Sequence, residues 1–144
     1  MKIRKIDWSN PEDRDAFIEL PWRIYPEQHA WIAPLKDSIA SELSAGNNFF
    51  QHGQAAAFIA EDNDLVVGRI VASIDDHLDE KNVGHFGYFE CQNDPRIAQA
   101  LLTEAENWLK AKGRTQVHGP VNLNIYTGYR LQTKGFDKKP FLGE

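Results

Sequence analysis

The chain has 144 residues, 42% of them hydrophobic, enough for one ordinary core and too few for two. A formal net charge of −5 argues against a surface built to neutralise nucleic-acid phosphates, leaving Lys134, Lys138 and Lys139 as a local basic patch. No apolar run approaches the roughly 18 residues of a transmembrane helix, MKIRKIDWSNPEDRD lacks a signal peptide's apolar stretch, and Cys91 alone excludes an internal disulfide, so the sequence reads as one soluble, cytoplasmic domain with neither membrane nor nucleic acid as a partner.

Residues 2–8, KIRKIDW, predict a short edge strand, and Ser9 or Asn10 before Pro11 supplies an N-cap and first-turn proline for a helix to about Leu20. Pro21, Pro26 and Pro34 are expected to break LPWRIYPEQHAWIAPL into brief pieces, with Trp22, Ile24, Tyr25, Trp31 and Ile32 on an apolar surface. Leu35, Ile39 and Leu43 then repeat at spacings of four, predicting a second helix from about Pro34 to Leu43 with Gly46 as its stop.

AAAFIAED (55–62) and VVGRIVASID (66–75) are rich in branched and aromatic residues and flank a polar turn at Asp62, Asn63 and Asp64, the pattern of a β-hairpin. DDHLDEKN (75–82) reads as a solvated loop, because Asp75, Asp76, His77, Asp79 and Glu80 match neither EF-hand nor zinc spacing. VGHFGYFEC (83–91) is the next antiparallel strand, and Gly84 and Gly87 within it call for a bulge or a closely approaching ligand. Asp94 caps a helix from Pro95 to Lys112 that Gly113 ends, with Ile97, Leu101, Ala105, Trp108 and Leu109 along one face. TQVHGP (115–120) is a last short strand, and a strand–helix–strand crossover of this length requires it to pair parallel with 83–91. His85 and His118 fall in strands, where packing or a hydrogen bond explains them. The predicted class is therefore α+β, with a mixed sheet.

This order resembles the GNAT acetyltransferase superfamily over nearly the whole chain. FIELPWRIYP, AAFIAED, VVGRIVASID, FGYFECQNDPRIAQALLTEAENWLKAKG and HGPVN together resemble the N-terminal part of a group of bacterial GNAT-like proteins of mostly unassigned function. The resemblance implies that acetyl-CoA lies where the fourth and fifth strands splay apart. Backbone groups of residues 83–91 would then hold its pantetheine, and a Q/R-x-x-G-x-G/A turn at the following helix would hold its pyrophosphate. IAQALL set against the usual IGRALL places Gln92 and Ala98 on that pattern, with Asp94 and Arg96 at both inner glycine positions and Pro95 between them. The implied cofactor-binding residues are Phe89, Cys91, Gln92, Arg96 and Ala98, with Lys112 or Arg114 as further phosphate partners.

Glu90 resembles in placement the carboxylate that deprotonates the amine in some GNAT enzymes, a role that needs access to the ammonium. Tyr126, with Tyr129 beside it, resembles the tyrosine that protonates the departing thiolate. Yet 121–144 shows no sustained helical period and reads as an irregular tail, without the superfamily's last helix and strand pair. The fifth strand is accordingly expected to be an exposed edge, with Val117, Val121, Leu123 and Phe136 uncovered unless a homodimer or the folded-back tail covers them. The alternative is that the chain is part of a longer protein.

Two functions follow. An aspartate capping the helix occupies the amides a phosphate needs, which favours a GNAT-like binding or dimerisation module with a degenerate acyl-CoA site. The alternative is an acetyl-CoA-dependent N-acetyltransferase acting on a small-molecule or peptide amine.

Overall fold

In the computed structural model, residues 1–25, 35–124 and 127–128 are described. Five strands, β1 (Lys2–Lys5), β2 (Gly53–Asp62), β3 (Leu65–Asp75), β4 (Val83–Cys91) and β5 (Gln116–His118), form one sheet in the order β1-β2-β3-β4-β5. All neighbours are antiparallel except β4 and β5, which the crossover through α3 (Pro95–Ala111) makes parallel. Helices α1 (Pro11–Ile24) and α2 (Lys36–Glu42) cover the other face. None of the described helices is long and apolar enough to cross a membrane.

Local chemistry sets most boundaries. Asn63 and Asp64 both have positive φ, 50° and 64°, which is the backbone of a two-residue type I′ hairpin loop. The Asn10 side chain accepts from the Glu12 N–H to cap α1, and Asp94 does the same for α3 through the Arg96 N–H. Ile97, Leu101, Ala105 and Leu109 form the buried stripe of α3 and pack on Phe58, Ala60, Ile70, Ala72 and Ile74. On the opposite face Phe17, Ile18 and Ile39 pack on Ile59, Val71 and Tyr88.

One expectation is corrected. α1 does not end near Leu20; it runs through Pro21 to Ile24. A proline at this position leaves the carbonyl of Phe17, four residues back, without its helical donor. Here the buried Arg69 donates to that oxygen at 2.8 Å from Nη1, so the defect is filled from β3. The pieces expected around Trp31 and Ile32 lie outside the described residues. For Leu123 the structure takes the folded-back alternative. The chain past β5 turns back, and Leu123 enters the α1/α2 core at 1% exposure, while Val117 stays 37% exposed. Phe136 lies outside the described residues.

Arg4 adds a surface clamp, donating to both Asp13 oxygens at 2.9 Å and to Glu61 at 2.9 Å, which ties α1 and β2 to β1. That pairing holds the Asp13 carboxyl below its usual range.

Arg69→Met is expected to destabilise the fold by about 3 kcal/mol in urea titrations, because two buried carbonyls lose their donor at about 1–3 kcal/mol each. Pro21→Ala restores an N–H aimed at the Phe17 oxygen. In that background the cost of Arg69→Met is expected to be smaller by at least about 0.5 kcal/mol.

Candidate functional site

The feature that organises the site is a bulge in β4. Arg69 faces Glu90 and Val71 faces Gly87, so the single residue Ile70 of β3 spans Tyr88 and Phe89 of β4. Tyr88 takes up the extra residue with φ of 51°, a left-handed conformation unusual for a bulky side chain. Three partners hold it there. Its carbonyl accepts from Arg69 Nε at 3.0 Å, its N–H donates to Asn122 Oδ1 at 2.7 Å, and its hydroxyl donates to Glu42 at 2.6 Å.

The bulge reverses the alternation of side chains along β4. Phe86, Phe89 and Cys91 pack beneath α3, whereas Tyr88 joins the α1/α2 core. Glu90, opposite Arg69 and bonded to Tyr25 of α1's C-cap, lies on the α1/α2 side too. The candidate base is therefore separated by the sheet from Phe89 and Cys91. The Tyr25 hydroxyl donates to Glu90, and burial together with that carboxylate pushes the phenol well above its ordinary range. Burial holds the Arg69 guanidinium down to about 10, against the pull of Glu90, so it is charged at neutral pH. Burial raises the Cys91 thiol, which favours packing over nucleophilic chemistry.

The strand glycines serve the protein's own approach. A Cβ on Gly84 would lie 2.4 Å from a Leu109 methyl of α3, and one on Gly87 would lie 2.2 Å from the Val121 carbonyl. β5 pairs with β4 only as far as His85 and His118; Pro120 has no N–H to extend the ladder. Val121 N–H then donates to Phe86 O at 2.7 Å, and Asn122 makes the last contact, at Tyr88. Beyond it, among the described residues, nothing pairs with the outer edge of β4 from Phe89 to Cys91.

At the start of α3 the amides from Asp94 to Ala98 are all engaged. The Arg96 N–H donates to Asp94 Oδ1 at 2.9 Å, and the N–H groups of Ile97 and Ala98 both go to the Asp94 carbonyl. Pro95 has none, and the Gln92 N–H pairs with Val67 O. The Arg96 side chain, 87% exposed, folds back onto Asp94 at 2.9 Å. This pairing and the cap hold the Asp94 carboxyl below its usual range. Arg114 is likewise engaged, 3.6 Å from Asp76.

Of the residues singled out from the sequence, Gln92, Arg96 and Ala98 do converge on this turn, and Glu90 sits on the opposite face of the sheet. Tyr126 and Tyr129 lie outside the described residues. The residues the sequence reading missed are Arg69, Tyr25 and Asn122. An arginine inside the apolar run VVGRIVASID was the one signal available, because a charged residue on a buried strand requires partners. A cavity of about 850 Å³ lies elsewhere, on the β1/β2 side among Ile6, Trp8, Leu43, Phe50 and Ala57.

No family model matches the chain. Among solved structures it superposes on a tandem GNAT protein from the clavulanic acid biosynthesis pathway with a TM-score of 0.63 at 12% identity, covering 81% of this chain and 35% of that one. The chain has the GNAT fold. An aminoglycoside N-acetyltransferase in complex with CoA gives a TM-score of 0.57 at 16% identity, covering 92% of this chain and 90% of that one. Two curated relatives match more closely in sequence. Protein YghO of Escherichia coli (strain K12) is 39% identical over 134 residues, which are 91% of this chain and 34% of that protein. The bacterial ceramide synthase of Caulobacter vibrioides (strain NA1000 / CB15N) is 36% identical over 137 residues, 92% of this chain and 36% of the enzyme. The chain thus spans about a third of the length of the curated relatives it matches.

His85 yields a prediction about pH. Burial, helped by His118, holds its imidazole below the ordinary 6.5, and its Nδ1 is buried with no partner among the described residues. The unfolded chain therefore binds this proton more readily. The stabilisation is complete above about pH 6.5 and is lost as pH falls through the lower folded value. Urea midpoints measured at pH 8 and 5.5 should differ less in His85→Gln than in the native chain.

Proposed function

We propose that this chain is part of an acyl-CoA-dependent N-acyltransferase, carrying the strand against which the pantetheine arm lies and the base for the attacking amine. One observation carries the reading: the bulge at Tyr88. A left-handed tyrosine costs on the order of 1–3 kcal/mol and persists only where its surroundings enforce it. Here a buried arginine and Asn122 enforce it, and the result is a β4 edge left unpaired among the described residues, with Glu90 brought beside it. The relative named as a ceramide synthase lends support, since a ceramide is an amide of a fatty acid with a sphingoid amine.

Acyl-CoA would supply the activated thioester. Glu90 would accept the proton of the amine as the C–N bond forms and the C–S bond breaks, and Tyr25 and Arg69 would orient that carboxylate. The departing thiolate would take its proton from the acid that the family resemblance assigns to Tyr126. The phosphate end fits less well. No amide from Asp94 to Ala98 is available while the cap is closed, so Arg96 would have to leave Asp94 to meet the pyrophosphate.

That closed turn favours a second reading, a GNAT-like binding module that assembles as a homodimer. Calorimetric titration with acetyl-CoA and octanoyl-CoA separates the two. The native chain is expected to bind in the micromolar range, and Asp94→Gly should tighten binding by about tenfold by removing a like charge and freeing an amide. Glu90→Gln should bind as the native chain does and form amide about 100-fold more slowly. Silence from both the native chain and Asp94→Gly, with a dimer in sedimentation, would overturn the acyltransferase reading.

A further inference from the structure

At the other end of the sheet a histidine from before β2 meets two side chains from the end of β3. His52 ends the 3-10 turn Asn48–Gln51, Asp75 is the last residue of β3, and His77 follows two residues on. His52 Nδ1 is 2.7 Å from Asp75 Oδ1, the two imidazole rings stack with centroids 3.8 Å apart, and one ligand atom from each residue lies within 4.8 Å of the others. We propose that His52, Asp75 and His77 form a binding site for a divalent transition-metal ion of the zinc type.

The chemistry of the donors and their support argue for it. Two imidazoles and a carboxylate are the set that borderline ions such as Zn²⁺ prefer, with water completing the shell. The frame is rigid where it needs to be. Asp76 N–H donates to His52 O at 2.8 Å, Gly53 faces Asp75 in the ladder, and His52 packs edge-on against Phe49. Asp75 is held by the His77 N–H at 2.9 Å, and its side chain is only 10% exposed. The neighbouring cations are diverted, since Arg114 pairs with Asp76 and the Lys81 ammonium donates to the Asp76 carbonyl.

Binding requires little movement. Tetrahedral zinc, with bonds of about 2.0–2.2 Å, holds its ligand atoms roughly 3.3 Å apart, so the His52–Asp75 pair, now at 2.7 Å, opens by about 0.6 Å and His52 Nδ1 binds the ion without a proton. The exposed His77 ring turns out of the stack to add its nitrogen. Asp75 lies six residue steps along β3 from Arg69, whose β4 partner is Glu90, roughly 20 Å away at about 3.3 Å per residue. The ion would therefore clip the segment before β2 to the loop after β3 and would take no part in acyl transfer.

The test is calorimetry of the untagged chain with ZnCl2, paired with thermal unfolding with and without the metal. A one-to-one isotherm in the micromolar range or tighter is expected, with a rise of a few degrees in Tm at saturation. His77→Ala, at an exposed position that leaves the core intact, should weaken binding by about tenfold or more, as should His52→Ala, and both should abolish the shift in Tm. Co²⁺ should give a visible ligand-field spectrum free of thiolate charge transfer, since Cys91 is distant from the site. Absence of saturable heat up to about 1 mM would overturn the proposal, as would an isotherm unchanged in both histidine variants.

Discussion

The guanidinium of Arg69 connects parts of this molecule that otherwise have no reason to be in register. It lies 4% exposed, 4.8 Å from the Phe17 ring centroid, and donates to the carbonyls of Phe17 and Tyr88. Burying a cation is costly unless its donors are used. In this chain each of those acceptors is a carbonyl left over by an irregularity, Pro21 in the helix and the bulge in the strand. Each defect is thus the other's remedy, because one side chain reaches both.

That arrangement decides what β4 presents. With the bulge at Tyr88, Phe89 and Cys91 go under α3, while Glu90 comes to the α1 side, where Tyr25 meets it. A regular strand would exchange these positions. Among the described residues, the segment following β5 makes its last contact at Tyr88 through Asn122, so the part of the β4 edge that none of them pairs with begins where the bulge ends. The outer edge of β4 and the start of α3 then differ in kind: among the described residues nothing pairs with the first from Phe89 to Cys91, while the amides from Asp94 to Ala98 at the second already have partners.

Much of this was legible in the residues themselves. Asp94 before Pro95 and the stripe from Ile97 to Leu109 define α3 within a residue, because caps and helical periodicity are local properties. Asn63-Asp64 between two apolar runs specifies its hairpin for the same reason, and the single helical crossover makes β5 parallel. The displacement of both turn glycines by Asp94 and Arg96 was visible too, and the structure adds that these two bond to each other.

What the sequence by itself determined, then, is the GNAT-like order of elements and the capped turn, since propensity, capping and alternation act over a few residues. Only the tertiary structure decided that α1 continues through Pro21, that Tyr88 bulges, that Leu123 is buried, and that His52 meets Asp75 and His77. Each of these depends on a partner 20 or more residues away. A proline's missing N–H, a strand's extra residue and an imidazole's neighbour are settled by whatever the fold carries to them, and no local pattern encodes that.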